Sequence, residues 1–164
     1  MNLHDILIDP EKRLSFRQSL DTERLDFPAV LAYTVPPVGE GTILSEAGAL
    51  MLTGVIRGEM RCVCDRCASE YVKTVEIPLE VPLAAELEDE ENPDYFLLDG
   101  EELDLADLLE TCFILSMDTQ FLCREDCKGL CCGCGVNLNF ESCRCRQKSD
   151  PRLAVLEQLL ENKQ

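Results

Sequence analysis

The run LMLTGVIRGEMRCVCDRCASEYVKTVEIPLEVPLAA, residues 50–85, decides how this chain folds. Leu50, Leu52, Ile56, Met60 and Cys62 are apolar at even positions, while Thr53, Arg57, Glu59 and Arg61 are polar at odd ones; Met51 and Val55 are the exceptions. Period-two alternation of this kind predicts a half-buried antiparallel strand, because successive side chains of a strand point to opposite faces. From Tyr71 the alternation resumes, with Val75, Ile77, Leu79, Val81, Leu83 and Ala85 sharing one face. Gly54 and Gly58 fall on the apolar face, where a missing side chain permits coiling or a bulge. Between the two strands stands Cys64-Asp65-Arg66-Cys67, so a C-x2-C pair occupies the hairpin tip. Such a pair reads as half of a metal site. A redox pair of the thioredoxin kind would instead precede a helix within a βαβ pattern, and nothing helical follows Cys67.

The other half is sought downstream. Cys123 to Cys145, CREDCKGLCCGCGVNLNFESCRC, holds seven of the eleven cysteines in 23 residues, at 123, 127, 131, 132, 134, 143 and 145. Thiolates a few residues apart reach one tetrahedral ion at about 2.3 Å when the backbone between them turns tightly. Gly129, Gly133 and Gly135 supply that turning. A disulfide framework is the alternative. Against it, residues 1–20 carry His4, Asp5, Asp9, Glu11, Lys12 and Arg13 rather than an apolar signal core, and no membrane-spanning run occurs. A reducing cytoplasm with thiols held as metal ligands is the expectation.

Working outward from the hairpin, Met1–Asp9 predicts a single helical turn, and Leu14, Phe16 and Leu20 an edge strand. Ala29–Val35 predicts a strand ended by Pro36-Pro37. Thr42–Leu44 leads into a turn at residues 45–48. His4, the only histidine, is expected on the surface. Residues 86–100 form an acidic loop with Tyr95, Phe96, Leu97 and Leu98 embedded in it, able to anchor a strand or a partner. Asp104 then caps a helix whose Leu105, Leu108, Leu109, Cys112 and Phe113 make one apolar stripe, so Cys112 reads as a small core residue. At the end, Ser149 or Asp150 caps a last helix with Pro151 in its first turn and Leu153, Leu156 and Leu160 on one face.

The formal charge is −17, with pI about 4.3, and it is polarised. Residues 76–110 hold fourteen acidic side chains and no Lys or Arg, whereas residues 121–152 hold six basic against four acidic. An acidic chain is poorly suited to gripping phosphates over its whole surface, because each phosphate contact wants a Lys or Arg. No acid–base pair, phosphate loop or open coordination site suggests an enzyme.

The C-D-R-C knuckle at 64–67, the E-L-D-L helix start at 102–105, and C-x3-C-K-G-L-C-x2-C-G-x2-L-N at 123–139 carry a resemblance, continued by C-x-C and D-P-R-L. In these the chain resembles the bacterial and plastid YceD family of large ribosomal RNA subunit accumulation proteins. The resemblance implies a non-enzymatic role in 23S rRNA accumulation and large-subunit biogenesis. It departs from the family at Cys132, where proline is common, which leaves open whether Cys131 or Cys132 is a ligand.

The resulting expectation is an α+β fold: a strongly curved antiparallel sheet, one packing helix, and a C-terminal zinc-bound segment ending in a helix. Residues 1–118 form the mainly antiparallel β domain, and residues 119–164 the cysteine-rich segment and last helix. Two zinc ions are expected on Cys64, Cys67, Cys123, Cys127, Cys131, Cys134, Cys143 and Cys145. The preferred pairing places Cys64 and Cys67 with Cys123 and Cys127, and Cys131 and Cys134 with Cys143 and Cys145. The rival puts Cys123, Cys127, Cys131 and Cys134 on one ion, and spacing alone leaves both open. Four-thiolate zinc centres are anionic, so Arg66, Arg124, Lys128 or Arg144 is needed locally to offset them. Partner expectations are a pre-ribosomal large-subunit particle, with 23S rRNA met by Arg144, Arg146, Lys148 and Arg152. A basic ribosomal protein would be met by Glu88, Asp89, Glu90, Glu91, Tyr95 and Phe96. No membrane or small-molecule substrate is expected. A zinc-stabilised protein–protein adaptor and a thiol oxidoreductase are the alternatives.

Overall fold

The computed structural model describes residues 1–9, 11–46, 49–84 and 95–145. In chain order these form α1 (His4–Ile8), β1 (Arg13–Ser19), β2 (Val30–Glu46), β3 (Ala49–Val63), β4 (Glu70–Ala84), β5 (Phe96–Leu97) and α2 (Leu105–Ser116). The strands make one open sheet in the order β1-β2-β3-β4-β5. The β3–β4 hairpin follows the alternation. Ile56 pairs with Ile77, Gly54 with Leu79 and Cys62 with Tyr71, and the even residues of β3 and odd residues of β4 line the buried face. Gly54 stands opposite Gly41 of β2, and a Cβ on Gly54 would come within 2.4 Å of the Glu40 carbonyl oxygen. Glycine is needed there for close backbone approach.

Two expectations are corrected. The strand at Ala29–Val35 does not end at Pro36-Pro37 but runs on to Glu46. The register against β3 shifts between Tyr33 and Val35 and again between Val35 and Val38, so the prolines sit where the ladder is already irregular. Their missing N–H groups therefore cost few ladder bonds, and the Pro37 carbonyl still accepts from the Leu20 N–H at 2.9 Å. The sheet is also not wholly antiparallel. Leu83 and Ala84 of β4 pair in parallel with Phe96 and Leu97 of β5.

Asp104 caps α2 through its carboxylate, which accepts from the Asp107 N–H at 3.0 Å. The stripe below it buries Leu105, Leu108, Leu109 and Phe113 against the sheet, with Cys112 partly buried at its margin. Fully burying each such side chain contributes about 1.5–3 kcal/mol. Phe113 meets Phe27 edge to face at 6.1 Å between centroids. Glu110, buried on the same helix, is held by the Arg24 guanidinium at 2.9 Å. Phe121, just beyond α2, joins this core and so fixes where the cysteine-rich segment begins. No helix among the described residues is long and apolar enough to cross a membrane. The expected last helix lies outside the described residues.

Candidate metal centres

The first centre is assembled across the molecule. β3 ends at Val63, and the tip turns back through hydrogen bonds from the Cys64 N–H to the Ser69 carbonyl at 3.0 Å and from the Ala68 N–H to the Cys64 carbonyl at 2.9 Å. Asp65 clasps the incoming tail in both directions. Its N–H donates to the Phe121 carbonyl at 2.8 Å, and its carboxylate accepts from the Phe121 N–H at 2.6 Å. The Arg66 guanidinium donates to the Cys127 carbonyl at 3.2 Å, and the Leu130 N–H donates to the Arg66 carbonyl at 3.0 Å. These bonds set Cys123 and Cys127 beside Cys64 and Cys67. The four sulfurs lie within 4.8 Å of one another, with Cys64–Cys127 and Cys67–Cys123 both at 3.7 Å.

The second centre is local. The Cys131 N–H donates to the Val136 carbonyl at 2.8 Å and the Gly135 N–H to the Cys131 carbonyl at 2.9 Å, closing a knuckle. Gly135 and Gly129 hold φ of +72° and +74°, the left-handed backbone that a side chain disfavours. Cys131, Cys134, Cys143 and Cys145 bring their sulfurs within 4.8 Å. Cys131–Cys143 is 3.1 Å and Cys134–Cys143 is 3.8 Å.

Both quartets suit a metal ion. Four sulfurs at about 2.3 Å from a tetrahedral centre stand about 3.8 Å apart, close to all these separations except the shorter Cys131–Cys143. Four soft donors also fill a tetrahedral shell, as in structural rather than catalytic sites. Bonds to sulfur are already in place, from the Gly133 N–H to Cys131 at 3.4 Å, the Cys145 N–H to Cys143 at 3.2 Å and the Asn139 amide to Cys127 at 3.3 Å. Protons are unevenly held within each group. A hydrogen bond from Ser69 brings the Cys67 thiol down to about 6, while burial pushes Cys123 up to about 12. The bond with Cys143 lowers Cys131 to about 6, and the bond with Cys134 raises Cys145 to about 12. Burial raises Cys64, but backbone hydrogen bonds at Cys123, Cys67 and Arg66 outweigh it and leave the thiol lowered. A crowded thiol cluster keeps some protons until a cation displaces them.

The eight cysteines thus stand in the two groups preferred above, and the rival set of Cys123, Cys127, Cys131 and Cys134 does not come together. Cys132 is exposed and outside both groups. None of the eleven cysteines is in a disulfide. Arg144 is described and exposed, whereas Arg146, Lys148, Arg152 and Glu88–Glu91 lie outside the described residues. Tyr95 is exposed, and Phe96 is part of β5, packed against the core. His4 is exposed and bonds Glu101 at 2.9 Å. Sequence reasoning missed the supporting residues Asp65, Ser69, Asn139 and Asn137, whose amide donates to the Ser69 hydroxyl at 3.3 Å. Asn139 is in the quoted motif, but nothing in its spacing says that its amide reaches a cysteine sulfur 12 residues away.

A family profile described as "Large ribosomal RNA subunit accumulation protein YceD" matches residues 52–160, which takes in the hairpin and both quartets. Uncharacterised proteins of Mycobacterium tuberculosis and Mycobacterium bovis are each 27% identical over 144 residues, covering 81% of this chain and 70% of theirs. An Arabidopsis thaliana protein, "Large ribosomal RNA subunit accumulation protein YCED homolog 1, chloroplastic", is 24% identical over 153 residues, covering 74% of this chain. The chain spans 48% of that relative's length. No solved structure matches. With the profile covering the greater part of the sequence, including every cysteine of both quartets, the chain belongs to the YceD family of large ribosomal RNA subunit accumulation proteins.

Proposed function

We propose that this protein is a non-enzymatic, two-zinc factor of the cytoplasm that acts in 23S rRNA accumulation and large-subunit assembly. The family match over residues 52–160 carries the reading. Zinc is the ion of choice, since four thiolates at these separations suit a tetrahedral, redox-inert cation. It would cross-link residues 1–118 to the cysteine-rich part of residues 119–164, supplying folding energy rather than chemistry.

Contact with the particle is bipartite in this reading. Arg144, Arg146, Lys148 and Arg152 meet phosphates. Glu88, Asp89, Glu90 and Glu91, with Tyr95 and Phe96, hold a basic ribosomal protein. Screening limits the repulsion of a −17 chain to about 8 Å at physiological salt, so a local basic face suffices. Arg144, Lys128 and Arg66, at the metal centres, have no carboxylate within salt-bridge distance among the described residues. Arg61, Lys73 and Arg124 each have one, and Arg57 has two, Glu40 and Glu76.

One observation favours a second reading, the protein–protein adaptor. Residues 121–145 hold three basic and three acidic side chains, so the anionic four-thiolate centres would leave that surface short of positive charge. Sedimentation of cell extract separates the two readings. A factor that travels with pre-50S particles supports assembly, and one found only in light fractions overturns it. Changing Arg144 and Arg146 to Glu then tests direct RNA contact, with each lost phosphate contact removing about 0.7–0.9 from the log–log salt slope. Unchanged RNA association would place the protein on the ribosome through protein contacts alone.

A further inference from the structure

The sheet has one long edge that the described chain leaves unpaired. β4 pairs with β3 along its whole length, but with β5 only at Leu83 and Ala84. From Glu70 to Pro82 no backbone group has a partner on the outer side among the described residues. Prolines fix which residues face outward. Pro78 lies opposite Val55 and Pro82 opposite Met51, and a residue without an N–H belongs at the positions that do not bond across to β3. Even-numbered residues of β4 therefore aim their N–H and C=O groups at the open edge, which the bond from the Leu98 N–H to the Ala84 carbonyl at 2.9 Å confirms.

The edge is uneven. Pro78 and Pro82 deny it two donors, a device that blunts edges against aggregation. Between Glu70 and Glu76 no proline interrupts the edge: Val72, Thr74 and Glu76 offer N–H and C=O groups in the regular alternation a new strand needs. Val72 is 59% exposed. Beside it runs a groove of about 460 Å³ between Tyr71–Thr74 and the segment Asp118–Glu125. Glu70 and Glu76 project on the outer face. Their partners Arg61 and Arg57 are solvent-exposed pairs at 3.8 and 2.9 Å, weak enough for a further cation to share the carboxylates.

We propose that the open edge of β4 from Glu70 to Glu76 receives a basic, extended polypeptide segment by strand addition. Main-chain hydrogen bonds to Val72, Thr74 and Glu76 supply the docking, and alternate side chains supply the selectivity. A Lys or Arg falls beside Glu70 and beside Glu76, and a β-branched residue falls beside Val72. The net charge of −17 draws such a segment in and disfavours an acidic one. The proposal deepens the protein arm of the assembly-factor reading, and rests on it only for where the segment comes from.

The test uses the metal-loaded protein and a short synthetic peptide that carries Arg, Val, Thr and Arg at successive alternate positions, so that all four fall on the face of Glu70, Val72, Thr74 and Glu76. Amides of Val72, Thr74 and Glu76 exchange fast in the free protein and slow when the peptide binds. Thr74→Pro repeats on the same edge what Pro78 and Pro82 already do, so the β3–β4 ladder survives. It weakens the peptide by roughly tenfold, whereas Thr74→Val does not. Glu70→Lys with Glu76→Lys weakens it as well, without Pro chemistry. Equal binding by wild type and Thr74→Pro overturns the proposal. So does slowed exchange confined to other residues, or an edge already protected in the free protein, which would mean that the chain's own residues 85–94 or 146–164 cover it. Sedimentation separates the two claims. Wild type on pre-50S particles with Thr74→Pro released supports both. Wild type absent from particles while the peptide still protects the edge removes the assembly reading and leaves the edge standing.

Discussion

The two cysteine quartets have the same donors and nearly the same dimensions, yet they differ in how they are embedded. The first joins residues 63 and 56 positions apart, from the tip of the β3–β4 hairpin to the tail. Cys64, Cys67 and Cys127 are buried, and Tyr71 and Leu122 pack against them. The second closes loops of 12 and 9 positions, and Cys134 and Cys145 are exposed. A cross-link that closes a long loop removes more freedom from the unfolded chain than one closing a short loop. A metal ion held by the first quartet would therefore staple two parts of the fold, and one held by the second would close a local knuckle. One motif vocabulary serves two mechanical purposes, and burial tells them apart.

The largest effect follows from cutting the staple. Cys127→Ser should lose one metal ion per chain and loosen both ends of the cross-link. Hydrogen exchange should speed up around residues 60–70 and 119–130 together, with a lower melting temperature. Cys143→Ser should also lose one ion, but loosen only residues 129–145. If Cys127→Ser speeds exchange in the tail alone, the hairpin tip holds itself and the staple reading fails.

Graded metal removal should produce the next largest difference. A chelator should take the ion from the exposed quartet first, leaving the sheet's melting transition in place, and from the buried quartet only with loss of structure. Acid acts in the same direction as chelator. Metal binding needs thiolates, so it releases the protons that the free protein holds on Cys123 and Cys145, both raised to about 12. Affinity should thus rise with pH and fall as pH drops, most steeply once Cys67 and Cys131, at about 6 in the metal-free protein, also take up protons. The sign is that of groups whose ionised form is the bound one. Metal content followed across pH 5–8 checks it, and simultaneous loss from both sites would erase the distinction.

Much of this was legible in the sequence, and the failures have physical causes. Alternation placed β3 and β4 because each has one wet and one dry face, and Asp104 announced α2 through a cap that acts within one turn. Pro36-Pro37 misled, since a proline stops a strand only where its N–H would have bonded; here the register shift removes that demand. β5 is two residues long, too short for any periodicity to register, and so is its parallel pairing with Leu83 and Ala84. Cysteine spacing named the neighbourhood of the two clusters but not how the eight cysteines divide between them. That was settled by Asp65, Arg66 and Phe121, whose bonds join tip and tail across more than fifty positions and leave no mark on either motif.

Asn139 links the two regions, and its loss should have a smaller effect. Its carbonyl oxygen accepts from the Lys128 N–H at 2.8 Å and its amide donates to the Cys127 sulfur at 3.3 Å. Asn139→Ala should leave two ions per chain but cost about 1–3 kcal/mol, the net worth of the two bonds its side chain makes. Chelation of the buried quartet should accelerate while the exposed one is unchanged. Equal acceleration at both would mean that Asn139 holds the backbone rather than the sulfur.

The smallest expected effect is at Cys132, and it is the most discriminating about the knuckle. Cys132 follows Cys131 directly, so sequence alone permits either to be the ligand. In the structure only Cys131 reaches the other sulfurs, receiving the Gly133 N–H at 3.4 Å and standing 3.1 Å from Cys143, while Cys132 is exposed. Cys132→Ser should therefore keep both ions and the melting temperature, since exposed substitutions away from such features fall within about 0.5 kcal/mol. In the metal-loaded protein a mild alkylating agent should modify Cys132 ahead of the eight ligand thiols, which the ion would shield. The same exchange at Cys131 should cost the ion and loosen residues 129–145. If the two variants trade outcomes, the backbone at Leu130–Gly133 turns the other way when metal is bound, and the knuckle closes through the second cysteine of the pair.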